Sequence, residues 1–180
     1  MKLLLTIFAL LCLSSMGTCA SPESETTSAT QDSCLCEEES ANITLSFVHL
    51  ISDFDEGQVD VVLASNFSEY SGSMNIFLGK NPNLETYSDI EQFKEGQKIM
   101  PSLTANDVEV VLFNCSIVVT RWNWYVQTWG EGAGVRALAV LGLVMEDGDW
   151  RVYGANVEFN GLELLALIGG NYTMPHGFGV

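Results

Sequence analysis

The chain has 180 residues, 47% of them hydrophobic and 17% charged. That is enough apolar material for one domain with a packed core, and too much for disorder over most of the length. Its 23 acidic and 7 basic residues give a formal net charge of −16, which repels phosphate backbones and anionic bilayers and so argues against nucleic-acid and membrane partners.

Residues 1–20 read as a secretory signal peptide. Lys2 precedes a short apolar run, and the small residues Gly17 and Ala20 follow, with cleavage expected after Cys19 or Ala20. The run is too short to span a bilayer, so the expected location is extracellular, with no membrane association after cleavage. Sequons at Asn42, Asn66, Asn114 and Asn171 agree with an exported glycoprotein. Past the leader the cysteines are Cys34, Cys36 and Cys115. One disulfide from Cys34 or Cys36 to Cys115 is expected in an oxidising compartment, and the third thiol is left to link two chains. Cys34-Leu35-Cys36 has no second pair and no histidine nearby, so no metal site is expected.

Residues 21–40 are polar, acidic and rich in Ser and Thr, without apolar periodicity, and read as a disordered linker. The folded domain is expected over residues 41–159. Phe47, Leu50, Ile51 and Phe54 recur at helical spacing, and Ser40 or Asn42 caps that helix. A break around Asp55-Glu56-Gly57 precedes a short second helix carrying Val59, Val62 and Leu63. Residues 66–71 read as a first strand, and 73–78 as its continuation or a second short strand. Ser88 with Glu91 matches a capping box for a third helix, which Pro101 terminates.

Long strands follow over residues 108–113, 116–127, 135–145 and 150–158. The third is apolar on both faces: Val135, Ala137, Ala139, Leu141 and Leu143 on one, Leu138, Val140 and Val144 on the other. A strand of that kind is covered on both sides. Asp147-Gly148 is a strong hairpin signal, because both positions tolerate positive φ. In the tail, residues 160–180, the stretch 162–168 can make two helical turns that either close over the domain or hang free.

This order of elements resembles the nuclear transport factor 2-like superfamily, which includes the SnoaL-like and ketosteroid-isomerase-like proteins. Three segments carry the resemblance. Residues 54–67 look like its helix, break, helix and first strand. Residues 88–93 look like its third helix. Met145-Glu146-Asp147-Gly148-Asp149-Trp150-Arg151-Val152 is similar to its last hairpin. The resemblance implies an α+β fold in which three N-terminal helices pack into a strongly curved antiparallel sheet, a cone with an internal cavity. It further implies a small apolar ligand in the cavity and a homodimer through the outer sheet face. A β-sandwich with added helices is the competing architecture.

The enzymes of that superfamily place carboxylates, tyrosines or histidines inside the cone. Near the first strand the residues at hand are Glu69 and Tyr70, with Asn156 on the last strand as a third catalytic candidate. Alternation sets Glu69 and Ser71 on one face and Tyr70 on the other. His49 and His176 do not form the paired histidines of a dehydratase. Trp122, Trp124 and Tyr125 are candidate cavity residues, and Arg121 and Asn123 are further polar candidates on the same strand. Arg151 and Glu158 are expected to be a structural pair or exposed. No cofactor is expected: the chain lacks a Gly-rich phosphate loop, a His-Glu-x-x-His and a Gly-x-Ser-x-Gly motif. Two readings stand. One is a secreted, N-glycosylated binding or interaction protein, and the alternative is a secreted isomerase, cyclase or dehydratase acting on a small apolar substrate.

Overall fold

The computed structural model describes residues 34–125 and 134–171. The expected signal peptide, most of the expected linker, His176 and the last two positions of the Asn171 sequon lie outside the described residues.

Residues 37–40, read from composition as the end of a disordered linker, form the first turn of a helix. Helix α1 spans Glu37–Ser52, with Cys36 rather than Ser40 or Asn42 at its cap, and the Cys36 backbone N–H donates to Glu39 Oε2 at 2.8 Å. Glu37, Glu38 and Glu39 occupy the first turn, where the positive end of the helix dipole stabilises them. Two features hold this polar-looking start. Leu35 is buried in the core, and Cys34 is disulfide-bonded to Cys115 across a sequence separation of 81. Of the two partners left open for Cys115 by the sequence, Cys34 is the one used. Cys36 is not a free thiol either, so it is no spare link between chains.

After a 3-10 turn (Glu56–Gln58) come α2 (Val59–Val62), strand β1 (Leu63–Tyr70), α3 (Gly72–Phe77) and α4 (Ile90–Lys98). The stretch expected to be strand at 73–78 is therefore helix. Its nucleus is tertiary: the Ser71 side chain accepts from the Met74 N–H, and Glu158 on the last strand accepts from the Gly72 and Ser73 N–H groups. The cap of α4 is Asp89, which accepts from the Gln92 N–H at 2.8 Å, while Ser88 accepts from the Gln92 side chain. Phe93 on α4 is fully buried and meets Phe54, Phe67 and Tyr87 edge to face, at ring-centroid distances of 6.3, 5.3 and 5.7 Å. Gly96 sits one turn from the middle of that cluster because the Tyr87 ring crosses it, and a Cβ there would lie 2.3 Å from the ring.

Four long strands complete the domain: β2 (Thr104–Phe113), β3 (Ile117–Tyr125), β4 (Val135–Glu146) and β5 (Asp149–Phe159). The sheet order is β1-β5-β4-β3-β2. Every pairing is antiparallel except β1 with β5, which is parallel, a departure from the all-antiparallel expectation. The sheet is curved and unclosed, the wall of a cone. Register shifts mark where it bends. One lies between Asn106 and Glu109, around Asp107 at φ 54°, and another between Gly142 and Leu143. The hairpin at Asp147 (φ 56°) and Gly148 (φ 90°) uses the two positive-φ positions read from the sequence.

The concave face carries the core. Val135, Ala137, Ala139, Leu141 and Leu143 of β4 are all buried, under Phe47, Val48 and Leu50 of α1. The first part of the tail packs on the domain: α5 (Gly161–Leu167) is capped by Asn160 and buries Leu164 and Leu167 against the same core. Among the described residues, no helix is long and apolar enough to cross a membrane.

Candidate functional site

The interior of the cone converges on the end of β1. Glu69 is the next-to-last residue of that strand and faces inward, opposite Tyr70. Its backbone is tied down on both sides: its N–H donates to the Tyr87 carbonyl, and its own carbonyl accepts from the Thr86 N–H, both at 2.8 Å. Its side chain is treated differently. Glu69 is only 4% exposed, and its carboxyl makes no hydrogen bond or ion pair with any described residue. A buried carboxyl without such compensation resists ionisation. Burial accordingly pushes Glu69 up to about 8, so at neutral pH it is mostly the neutral acid. Tyr87, itself buried, is held above the ordinary tyrosine range, first by burial and then by the charge of Glu69.

The carboxyl lines a small cavity with Ser71, Met74, Gln97, Trp124 and Leu164 among its neighbours. Its free volume is about 20 Å³, room for about one water molecule. Each wall comes from a different element. Met74 arrives on α3 and Gln97 on α4, one helical turn after Phe93. Leu164 is delivered by α5 and is fully buried. Trp124 is aimed by its indole N–H, which donates to Ser52 Oγ at 2.9 Å at the end of α1. It stacks edge to face with Trp122 and Phe159, at 5.3 and 5.4 Å.

The sequence candidates divide sharply between the two faces. Glu69 and Trp124 line the cavity, and Trp122 packs beside it, fully buried. Tyr70 and Asn156 face out. They pair with each other across β1 and β5, and the Tyr70 hydroxyl donates to Glu85 at 2.8 Å. That bond is the main cause of the rise in the Tyr70 pKa. Neither residue reaches the interior. Tyr125 is half-buried and also off the cavity, because strand alternation turns it away from Trp124. Arg121 is in an exposed pair with Glu109, and Asn123 donates to Asp107. Arg151 and Glu158 are not partners: Arg151 lies beside Glu146 and Asp147, while Glu158 holds the start of α3. His49 is exposed on α1.

Sequence reasoning missed Tyr87 and Gln97. Gln97 was findable, since it lies four residues after Phe93 on the same helical face. Tyr87 gave no signal, because it sits in an irregular loop that only tertiary pairing with Glu69 brings inward. Among the described residues no group of His, Cys, Asp and Glu is arranged to hold a metal ion.

A helix-lined, curved sheet with a polar group at the end of β1 can be tested against known families. A model of the NTF2-like domain matches residues 33–171. The chain belongs to the NTF2-like family. The match covers all of the described elements, from the start of α1 to the whole of α5. Among solved structures, this NTF2-like chain is similar to a loop-truncation variant of IdmH (15% identity, 72% of this chain and 99% of that one, TM-score 0.54). It is also similar to a SnoaL-like protein of unknown function from Burkholderia thailandensis (15% identity, 72% and 100%, TM-score 0.52). At such identities the likeness concerns the fold alone. No curated protein matches the chain.

Proposed function

We propose that this NTF2-like chain is a secreted, N-glycosylated interaction protein that acts as a homodimer through the outer face of its sheet. The observation that carries this reading is an apolar band across three strands of that face. Leu138, Val140 and Val144 of β4 are about two-fifths exposed, flanked by Ile117 on β3 and Tyr153 on β5. These residues occupy the outward positions of a strand whose inward positions form the core. A contiguous apolar face of this kind on a soluble domain marks an interaction surface. A second copy supplies the same face, as a two-fold interface requires. The exported reading is supported by the leader composition and by exposed asparagines at Asn42, Asn66, Asn114 and Asn171.

The interior supports the same reading. Its free space of about 20 Å³ falls far below the roughly 300–1,000 Å³ of small-molecule sites. The cone is filled by its own side chains. Native mass spectrometry of the secreted protein tests the proposal. Twice the glycosylated chain mass, with no additional small molecule, is expected. A monomer at micromolar concentration overturns it.

One observation favours a second reading, an isomerase, cyclase or dehydratase on a small apolar substrate. Glu69 is buried with no partner for its carboxyl among the described residues, and near pH 8 such a carboxyl exchanges a proton readily in either direction. That chemistry requires the cavity of about 20 Å³, which Leu164 of α5 helps to line, to widen. Turnover of a small apolar substrate that is lost in Glu69→Gln, with the dimer retained, would establish the second reading over the first.

A further inference from the structure

We propose that the N-glycan on Asn42 does not project into solvent but seats its innermost sugars in a groove of the protein itself, between α1, α2 and the β4–β5 hairpin. This inference rests on the secreted, glycosylated reading above.

The groove has a volume of about 470 Å³, and Asn42 is one of its own wall residues. The attachment point therefore delivers the occupant. Asn42 is exposed on the first half of α1, and Ser46, one helical turn on, lines the same groove. The far wall is apolar in its middle and polar at its rim. Val61 is 62% exposed and Met145 is 42% exposed, beside the partly buried ring of Trp150. Asp60, Asp149 and Arg151 surround them.

An N-acetylglucosamine ring has the matching anatomy, with an apolar C–H face and hydroxyls round its edge. Its face covers Val61, Met145 and the Trp150 ring, which otherwise remain an uncompensated apolar patch on a surface of strongly negative charge. Its hydroxyls meet the carboxylates and the guanidinium at the rim. A neutral sugar also avoids the repulsion that an acidic peptide would meet beside Asp60 and Asp149. Asn66 and Asn114 are exposed as well. Asn114 spends its Oδ1 on the Ser116 and Ile117 N–H groups in the β2–β3 turn. These two sites supply internal comparisons.

The test uses the full chain secreted from a glycosylating cell, with site-resolved mass spectrometry of release by a peptide N-glycosidase. A seat occupied nine-tenths of the time leaves one-tenth of the glycan open. The Asn42 glycan is then released about tenfold more slowly than the Asn66 glycan under native conditions, and equally fast after denaturation. Val61→Lys, a surface change that leaves the core intact, removes the difference. Equal native rates at the two sites overturn the proposal, as does an Asn42 without glycan beside a glycosylated Asn66. Slow release that persists in Val61→Lys also overturns it. So does protection of Val61 and Met145 from hydrogen exchange that survives Asn42→Gln, because it assigns the groove to a second copy. Retention of Met1 with no glycan at any sequon removes the exported reading along with the seat.

Discussion

The two faces of the sheet are written in the same strands, residue by alternate residue, and yet they are different materials. On the inner face of β4 every side chain from Val135 to Leu143 is buried, whereas the outer Leu138, Val140 and Val144 remain about two-fifths exposed. The polar groups divide the same way. On β1 the inward Glu69 is buried and its carboxyl has no hydrogen-bond partner among the described residues, while its neighbour Tyr70 faces solvent and bonds Glu85. Two adjacent polar residues thus have opposite fates, because successive side chains on a strand point to opposite faces. Polarity alone says little about a residue's role until its face is known.

The contrast can be broken most violently from inside. Trp122→Ala removes the largest fully buried side chain, and a loss of about 3–5 kcal/mol is expected by denaturant unfolding. Glu69→Gln acts on the same face with the opposite sign. Glu69 has its folded pKa raised from 4.5 to about 8, so between those values the native state holds a proton that the unfolded chain has released. Its contribution is therefore fully present below pH 4.5 and is lost as pH rises through 8. The wild type should lose stability over that window, and Glu69→Gln should flatten the dependence and gain on the order of 3 kcal/mol at pH 7. A wild-type stability that rises from pH 5 to 8, with no gain from Glu69→Gln, would contradict the buried, unpartnered acid.

On the outer face the expected effects concern association. Val140→Glu places a charge in the apolar band and should convert the proposed dimer to monomer in native mass spectrometry, with monomer stability changed by no more than about 0.5 kcal/mol. A dimer that survives this change uses another surface. The smallest effect is expected for Tyr70→Phe, which removes one exposed hydrogen bond to Glu85. Thermal melting should be unchanged, and any ligand-dependent activity should persist. A large loss in either would show that Tyr70 has a role its outward placement does not account for.

Much of the fold was legible, and the reasons are local. The helical spacing of Phe47 and Leu50, the aspartate–glycine turn and the two-sided apolar β4 each depend on residues near one another in sequence. The site was legible only to the extent that alternation aimed Glu69 inward. Its burial needs Gln97 from α4 and Leu164 from α5, and no local pattern announces those closures. The helix at 72–77 escaped for the same reason, since Glu158, which holds its N-terminus, is 86 positions away from Gly72.

By itself the sequence determined the periodicities, the turns, the family resemblance and the identity of an acid at the end of β1. Tertiary structure decided which cysteine joins Cys115, that β1 runs parallel to β5, that α5 brings Leu164 to the cavity wall, and that the Glu69 carboxyl has no partner among the described residues. Periodicity is set by backbone geometry over a few residues, whereas partnership and dielectric environment are set by segments that meet only once the chain has folded.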